Sequence, residues 1–258
     1  MEEEETRMTF LDHLEELRWR IVKSAIAIAV FAIAIWVFKG WIMENVFISM
    51  SSPEFFTFKF MCDTFGICVD KIDITYQNVE LTGQFSYALL MSIMGGFVVA
   101  FPYIFYQIWA FIKPGLKTNE KSLAKGIVFY ISLLFFIGIA FGYFVVAPLC
   151  VQFFGNFHII DAIKNDIRIS SFMSIVLSTI FYTGLLFLLP VASYILAKLG
   201  VMSAAYLRKY RKHAIIGILI LSALITPPDF VSQVIVGVPI VLLYEIGILV
   251  AAGVEKKK

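Results

Sequence analysis

Two carboxylates near the basic segments of the chain have neighbours that suit them to bind a guanidinium group. Glu16 precedes Arg20 by four positions, so a helix there would bring the two side chains together as an ion pair. Glu120 is the only acidic residue in the segment 113–125, where four lysines surround it. A carboxylate can accept two parallel N–H donors from one planar guanidinium. Two simpler interpretations also fit: an amphipathic entry helix around Glu16, and local charge balance at Glu120.

Two further acids lie at or within the last apolar segments. Asp229 follows two prolines in a tight turn, where it is suited to cap the N-terminus of the last helix. Glu245 falls about 10 Å inside the last span. An unpaired ionised group at mid-bilayer costs about 3 kcal/mol or more, so we expect Glu245 to be neutral or to face water or the bundle interior. A functional role is the default interpretation for Glu245, whereas capping is favoured for Asp229.

Motifs that mark common enzyme classes are absent from the sequence. The nearest match to a phosphate-binding loop, at 115–118, lacks the glycine before its lysine, and no HExxH, GxSxG or GxGxxG motif occurs. The three histidines, His13, His158 and His213, are far apart in sequence, so no metal site is predicted. We expect no catalytic residues, no cofactor and no ATP hydrolysis. Any work that the protein does would draw on the membrane potential or on partners.

The composition identifies the environment in which these acids must be held. Of 258 residues, 60% are hydrophobic and 16% are charged, and the mean hydropathy is +0.87. Such a chain is typical of a polytopic membrane protein, and it fits poorly with disorder, a disulfide scaffold, a coiled coil or a nucleic-acid binder. We predict an all-α fold in which residues 1–258 form a single integral membrane domain. Its six transmembrane helices are expected at about 21–40, 82–112, 126–149, 171–197, 214–227 and 231–252.

The distribution of basic residues predicts the orientation of these spans. Sixteen of the 21 lysines and arginines lie in the N-terminal segment, the loops after the second and fourth spans, and the C-terminal tail. The positive-inside rule therefore places both termini in the cytoplasm, which requires an even number of spans. Residues 1–20 become a cytoplasmic amphipathic segment, and 41–81 the main periplasmic loop. The fifth apolar run has only 15 residues, about 22 Å of helix, yet the parity argument retains it.

Prolines and cysteines mark irregular points in this arrangement. Pro102 lies within the second span and Pro148 near the outer end of the third, and each is expected to kink its helix. Cys62 and Cys68 lie close together in the main outer loop, in a compartment that permits oxidation. A bridge closing so short a loop would stabilise it by about 2 kcal/mol. A disulfide and a pair of reduced thiols remain equally good interpretations.

Several ordered motifs resemble the TatC family, the large multispan subunit of the twin-arginine, Sec-independent protein translocase. The segment 13–20 reads HLEELRWR, which matches the family pattern HLxELRxR. The other matching segments follow in the family's order along nearly the whole chain: 101–116 with Glu120, 142–144, 226–233 and 244–247.

The resemblance implies a six-helix, glove-shaped bundle whose concave side opens to lipid, with two short C-terminal spans. A protein of this kind is a multi-pass component of the bacterial cytoplasmic (inner) membrane that binds signal peptides bearing consecutive arginines. It acts with TatA-type and TatB-type single-span subunits in a complex that contains several copies of the chain. The complex exports folded cargo by means of the proton motive force. Its partners are thus these subunits, the signal peptides and membrane lipids, without nucleic acid.

The resemblance also assigns roles to individual residues. It implies that Glu16 and Glu120 are the signal-peptide-binding carboxylates, with Arg18 and Phe111 in the same cytoplasmic patch. Two adjacent arginines of a peptide could then engage two carboxylates from different loops, and the lysines around Glu120 would penalise cations that lack this paired geometry. Positions linked to translocation or partners are Asp229, Gln233 and Glu245, and the structural prolines are Pro102, Pro114 and Pro148.

One position departs from the family pattern. Many members carry a polar residue just before the proline of the fourth span, but this chain has Leu189 before Pro190. Leu189 cannot make the polar contact with a partner subunit that this position would otherwise provide. Thr183, one or two helical turns away, is a candidate to make that contact instead. Two rival functions are a proton-coupled carrier that uses Glu245 and Asp229, and an intramembrane enzyme. A carrier should show several charged residues near the membrane midplane and discontinuous helices in matching halves, and these are not visible in the sequence. An intramembrane enzyme should show a nucleophile with its base or a set of metal ligands, and the sequence offers no such set.

Overall fold

A computed structural model describes residues 10–66, 68–69, 74–112, 124–157, 160, 166–198, 200, 202–225 and 230–255. The chain divides into two compact units. The first comprises Met1–Lys39 and Leu89–Ser132, and the second Gly40–Ala88 and Leu133–Lys258. Most of the described chain is helical, as the apolar composition predicts.

The longest helices correspond to the apolar runs of the sequence. They are α1 (Phe10–Val37), α4 (Gly83–Ile112), α5 (Ala124–Phe141), α7 (Ile169–Leu186) and α11 (Phe230–Glu255). The shorter helices are α2 (Lys39–Ile42), α3 (Phe56–Phe65), α6 (Ala147–Asn156), α8 (Leu189–Lys198), α9 (Ala204–Lys209) and α10 (Arg211–Ile225). The amphipathic N-terminal segment and the first span form one continuous helix, α1, because no proline or glycine interrupts residues 10–37.

Five stretches within the described residues are long and apolar enough to cross a membrane. They are His13–Val37, Gly83–Ile112, Gly126–Asn156, Ile169–Lys198 and Gln233–Glu255. The third continues seven residues beyond the predicted end at 149, through α6. Helix α10, which covers most of the predicted fifth span, has only 15 residues, in line with the short apolar run there.

The all-α prediction is wrong in one detail, because two short strands pair. Strand β1 (Thr75–Gln77) runs parallel to β2 (Asp166–Arg168), with Thr75 opposite Asp166. Each strand has three residues, too few for an alternating pattern to be recognised in the sequence. The phenol of Tyr76 in β1 bonds to the hydroxyl of Ser51, so the strand is also tied to the segment that follows α2.

Pro148 follows a change of helix type in the third long apolar segment. Residues Gly142–Val146 form a π-helical turn between α5 and α6. Proline has no N–H and cannot bond to the carbonyl of Phe144, four positions earlier. The hydroxyl of Thr57 in α3 donates to that carbonyl instead. Helix α3 is therefore fixed to the point at which the long apolar helix is irregular, whereas Pro102 lies within the continuous run of α4.

The fourth apolar segment is interrupted just before Pro190. Helix α7 ends at Leu186, and α8 begins at Leu189 after a two-residue turn. Leu189 packs against a buried cluster formed by Val146, Cys150, Ile218, Val236 and Ile240. Thr183 is fully buried, and its hydroxyl donates to the carbonyl of Thr179 at 2.7 Å. Both positions thus contribute to internal packing, and the Thr183 hydroxyl is already bonded within its own helix.

Cys62 and Cys68 lie at opposite ends of a tight loop. Helix α3 ends at Phe65, and the residue that caps it, Gly66, has a φ of +69°, in the left-handed region that favours glycine. The chain turns back there, so that the Cα atoms of Cys62 and Cys68 are 4.3 Å apart and their sulfurs are bonded. The third cysteine, Cys150, is buried and belongs to the cluster that contains Val146 and Ile218.

Candidate functional site

Close packing of α1 on α4 positions the acidic residues of the N-terminal segment. Gly96 faces the backbone of α1: a Cβ atom at this position would lie 2.7 Å from the Ala32 nitrogen and 2.8 Å from the Ile28 oxygen. Only glycine allows so close a helix contact, as is common between membrane helices. The N-terminal turns of α1 therefore lie beside the C-terminal turns of α4, within the first unit.

Glu16 and Arg20 form the centre of this contact. Both Nε and Nη2 of Arg20 donate to Oε1 of Glu16, the first at 2.9 Å. The remaining nitrogen, Nη1, donates to the side-chain oxygen of Gln107 on α4 at 3.2 Å. Each of the two charged side chains is 22% exposed. The ion pair predicted from their spacing is confirmed, and it is extended by a partner 87 residues away.

The second carboxylate oxygen of Glu16 differs from the first. Oε2 is buried, and among the described residues it has no hydrogen-bond partner. A buried carboxylate oxygen without a donor is costly, because it has lost hydration without replacement. Glu16 thus retains the capacity to accept an N–H from another group.

An aromatic contact lies one helical turn from the ion pair on each helix. The rings of His13 and Phe111 stack with centroids 4.2 Å apart and an interplanar angle of 20°. His13 precedes Glu16 by three positions, and Phe111 follows Gln107 by four, so the stack and the ion pair share one helix interface. The structure therefore brings Phe111 into the same cluster as Glu16.

Arg18 lies elsewhere on the surface of α1. Its guanidinium is 3.9 Å from Glu15 and lies over the ring of Trp19, 5.6 Å from the ring centroid. The Arg18 and Glu15 side chains are 69% and 66% exposed. Two positions along a helix correspond to about 200° of rotation, so Arg18 points away from Glu16. Three other predicted site residues, Pro114, Glu120 and Asp229, lie outside the described residues.

Glu245 belongs to a separate cluster in the second unit. Its Oε2 accepts a 2.7 Å bond from Nη2 of Arg211, the first residue of α10. The neighbouring Tyr244 donates its hydroxyl to the carbonyl of Leu207 in α9 at 2.8 Å. Near the start of α11, the side chain of Gln233 donates to the carbonyl of Leu219 in α10 at 3.1 Å. These bonds join the last helix to the two helices before it.

Two partners in these clusters were not found from the sequence. Gln107 lies in an apolar run and Arg211 in a basic loop, and neither has a sequence spacing that links it to its partner, Arg20 or Glu245. The only sequence signal for Gln107 is that a polar amide among apolar residues needs a partner. For Arg211, the signal is that Glu245 itself requires compensation.

Comparison with known proteins identifies the family. Residues 12–239 match the family model described as Sec-independent protein translocase protein (TatC). A protein named Sec-independent protein translocase protein TatC, from Blattabacterium sp. subsp. Periplaneta americana, is 33% identical over all of both chains. The chain belongs to the TatC family. It is therefore a multi-pass membrane protein of a protein translocase, as the sequence motifs indicated.

Further TatC relatives agree in length and in fold. The TatC protein of Carboxydothermus hydrogenoformans is 33% identical over 99% of this chain and 97% of its own length. A crystal structure described as the twin-arginine translocase receptor TatC aligns with a TM-score of 0.71 at 27% identity, covering 94% of this chain and 99% of that one. A second, in DDM, gives 0.72 at 28% identity.

Proposed function

We propose that this TatC-family protein is the receptor for signal peptides that carry consecutive arginines. The observation that carries the proposal is that Glu16 holds a guanidinium, that of Arg20, beside the stacked rings of His13 and Phe111. The site is half-buried, so a charge-assisted bond formed there is less screened by solvent than one at the surface. A peptide arginine offers the same chemical group.

The second carboxylate of the proposed site is Glu120. Its segment follows α4 directly, and the last described turn of α4 carries Phe111. Two adjacent peptide arginines would engage Glu16 and Glu120 together, and the gain from two charge-assisted contacts would exceed that from either one. The four lysines around Glu120 repel cationic peptides that cannot form both contacts.

Peptide binding by the purified protein in lipid nanodiscs tests this receptor role. A labelled signal peptide is titrated in a twin-arginine and a twin-lysine version. We expect Glu16→Gln and Glu120→Gln each to weaken twin-arginine binding about tenfold or more, with a much smaller effect on the twin-lysine peptide. Glu15→Gln is the matched control, since it removes the same charge from the same turn at an exposed position. Equal, small effects on both peptides would refute the assignment.

The wider role that we propose is export of folded proteins across the bacterial cytoplasmic membrane. In this proposal α10 is a sixth, short span, both termini are cytoplasmic, and the proton motive force drives transport. Single-span subunits of the TatA and TatB type act as partners, and several copies of the chain assemble in the complex. The positive-inside distribution and the short but apolar α10 support this arrangement.

Complementation tests the transport role separately from peptide binding. Cells that lack their own TatC-type subunit receive this gene with its matching partner genes and a folded twin-arginine reporter. We expect the reporter to reach the outer side of the membrane, and to remain inside when the Glu16→Gln variant is supplied. Export that proceeds equally well with the variant, or that survives collapse of the membrane potential and pH gradient, would contradict the proposal.

A further inference from the structure

The protein's own Arg20 occupies the carboxylate that we assign to the peptide. Two of its nitrogens bond to the same oxygen of Glu16, and the third bonds to Gln107. A peptide guanidinium that sought the same oxygen would meet a carboxylate whose charge is already compensated. Binding at Glu16 therefore requires one guanidinium to replace another.

We propose that Arg20 is an internal competitor that lowers the affinity of Glu16 for every cationic ligand. This inference rests on the proposed receptor function and adds a regulatory contact to the same site. When a resting contact blocks a site, the apparent dissociation constant equals the intrinsic constant divided by the fraction of molecules in which the site is open. A ligand that contacts only Glu16 is thereby rejected, and a ligand with a second anchoring contact remains bound.

The geometry provides a path for this exchange. Oε2 of Glu16 is buried and has no partner among the described residues, so a rotation of the side chain that exposes it lets the first N–H of an incoming arginine bond there while Arg20 still holds Oε1. Gln107 keeps its bond to Nη1 of Arg20 after the carboxylate has been released. Arg20 then remains beside the site without being left unbonded in a half-buried position.

The exchange also makes a distinctive prediction about selectivity. A peptide must displace Arg20 only in so far as it bonds to Glu16, which the twin-arginine peptide does far more than the twin-lysine peptide. Removal of Arg20 should therefore tighten twin-arginine binding and change twin-lysine binding much less. A residue that merely holds Glu16 in place would act in the opposite direction, because its loss would weaken binding.

The test measures both labelled peptides on Arg20→Gln and Arg20→Lys in nanodiscs. We expect Arg20→Gln to tighten twin-arginine binding about tenfold, the effect of losing a partly buried charge-assisted pair, and to change twin-lysine binding much less. Arg20→Lys should tighten twin-arginine binding about threefold, since an ammonium keeps the charge but cannot bond to Glu16 and Gln107 together as the guanidinium does. The thermal midpoint of each variant is recorded to show that it is folded.

A charge control and a double variant complete the experiment. Lys23→Gln removes one positive charge from the same helix at an exposed position, and it should leave both affinities nearly unchanged. Adding Arg20→Gln to Glu16→Gln should produce no tightening, because the contested carboxylate is gone. Weaker twin-arginine binding in either Arg20 variant, unchanged twin-arginine binding in both, or equal tightening by Lys23→Gln would overturn the inference. Failure of the receptor proposal is distinct: Glu16→Gln alone would then leave twin-arginine binding intact.

Discussion

The two carboxylate–guanidinium pairs of this protein differ in what they connect. Glu16 and Arg20 are four residues apart on one helix, and their only described link to another helix runs through Gln107. Arg211 and Glu245 are 34 residues apart and join the start of α10 directly to α11. A pair within one helix can open without separating any elements, so it suits exchange with a ligand. A pair that joins two helices stabilises their packing. This structural role for Glu245 argues against its use in a proton-coupled carrier.

Charge reversal at the second pair, and exchange of both charges at each pair, should break this comparison most strongly. Arg211→Glu replaces the ion pair between α10 and α11 with two neighbouring carboxylates, whose repulsion should lower the thermal midpoint of the protein. The exchanged double variant, Arg211→Glu with Glu245→Arg, should recover most of the thermal midpoint measured in detergent. The exchanged pair at the first site, Glu16→Arg with Arg20→Glu, should keep the midpoint but lose twin-arginine binding. Recovery of binding there would show that the position of the carboxylate is unimportant.

The next largest effect is expected where α1 and α4 approach each other. Gly96→Ala adds a Cβ atom 2.7 Å from backbone, so the helices must shift, at a cost of about 2 kcal/mol. The shift would also separate Gln107 from Arg20, and peptide affinity should change together with stability. Gly217→Ala in α10 is the control: it has open space around it and should be neutral or slightly stabilising. Similar losses in both variants would show that close packing is not the cause.

Removal of the disulfide between Cys62 and Cys68 should destabilise its own loop and leave the peptide site unaffected. The Cys62→Ser, Cys68→Ser double variant should lose about 2 kcal/mol in the chain-entropy model. Limited proteolysis of the segment around this loop should become faster, while twin-arginine affinity stays the same. Equal gel mobility and equal maleimide uptake with and without reductant in the parent protein would contradict the bridge.

A smaller loss is expected at the π-helical turn. Thr57→Val removes the hydroxyl that donates to the Phe144 carbonyl, at a cost of about 1 kcal/mol. Ser178→Ala is the matched control, because the Ser178 hydroxyl bonds to the carbonyl of Ser174 within its own helix. The thermal midpoint should fall for the first variant and hardly change for the second. Equal midpoints would show that water or another donor serves the carbonyl as well.

The smallest effect concerns Tyr76 in the strand pair of β1 and β2. Burial raises the pKa of the Tyr76 phenol above 10.0, although the hydrogen bond with Ser51 lowers it in part. The neutral phenol therefore adds stability below pH 10, and this contribution is lost as the pH rises through the folded-state pKa. Unfolding measured across this range should show a steeper alkaline loss in the parent protein than in Tyr76→Phe. Identical pH profiles for the parent protein and Tyr76→Phe would contradict this contribution of Tyr76 to stability.

Contacts between residues that are close in the sequence could be predicted from it, whereas contacts between residues on different helices could not. The Glu16–Arg20 pair follows from a spacing of four in a helix, a relation that any sequence displays. The roles of Gln107 and Arg211 depend on helix packing, because each meets its partner from another element. A search for basic residues near Glu245 in sequence would miss Arg211 altogether.

The irregular backbone segments before Pro148 and Pro190 could likewise be predicted only in part. Pro148 and Pro190 mark points where a helix must change, yet only packing decides how. At Pro148 the helix widens into a π turn and accepts a donor from α3, whereas before Pro190 it breaks for two residues. The strands β1 and β2 were missed because three-residue strands stabilise each other across 91 positions and carry no local pattern.

Photo-crosslinking of a bound signal peptide tests the central claim most directly. A photoreactive residue is placed beside the two arginines, and the labelled residues of the protein in nanodiscs are mapped by mass spectrometry. We predict adducts in residues 13–20 and 105–125, and their loss when the arginines are replaced by lysines. Adducts confined to α10 and α11 around Arg211 and Glu245, or labelling that does not depend on the arginines, would contradict a receptor site at Glu16.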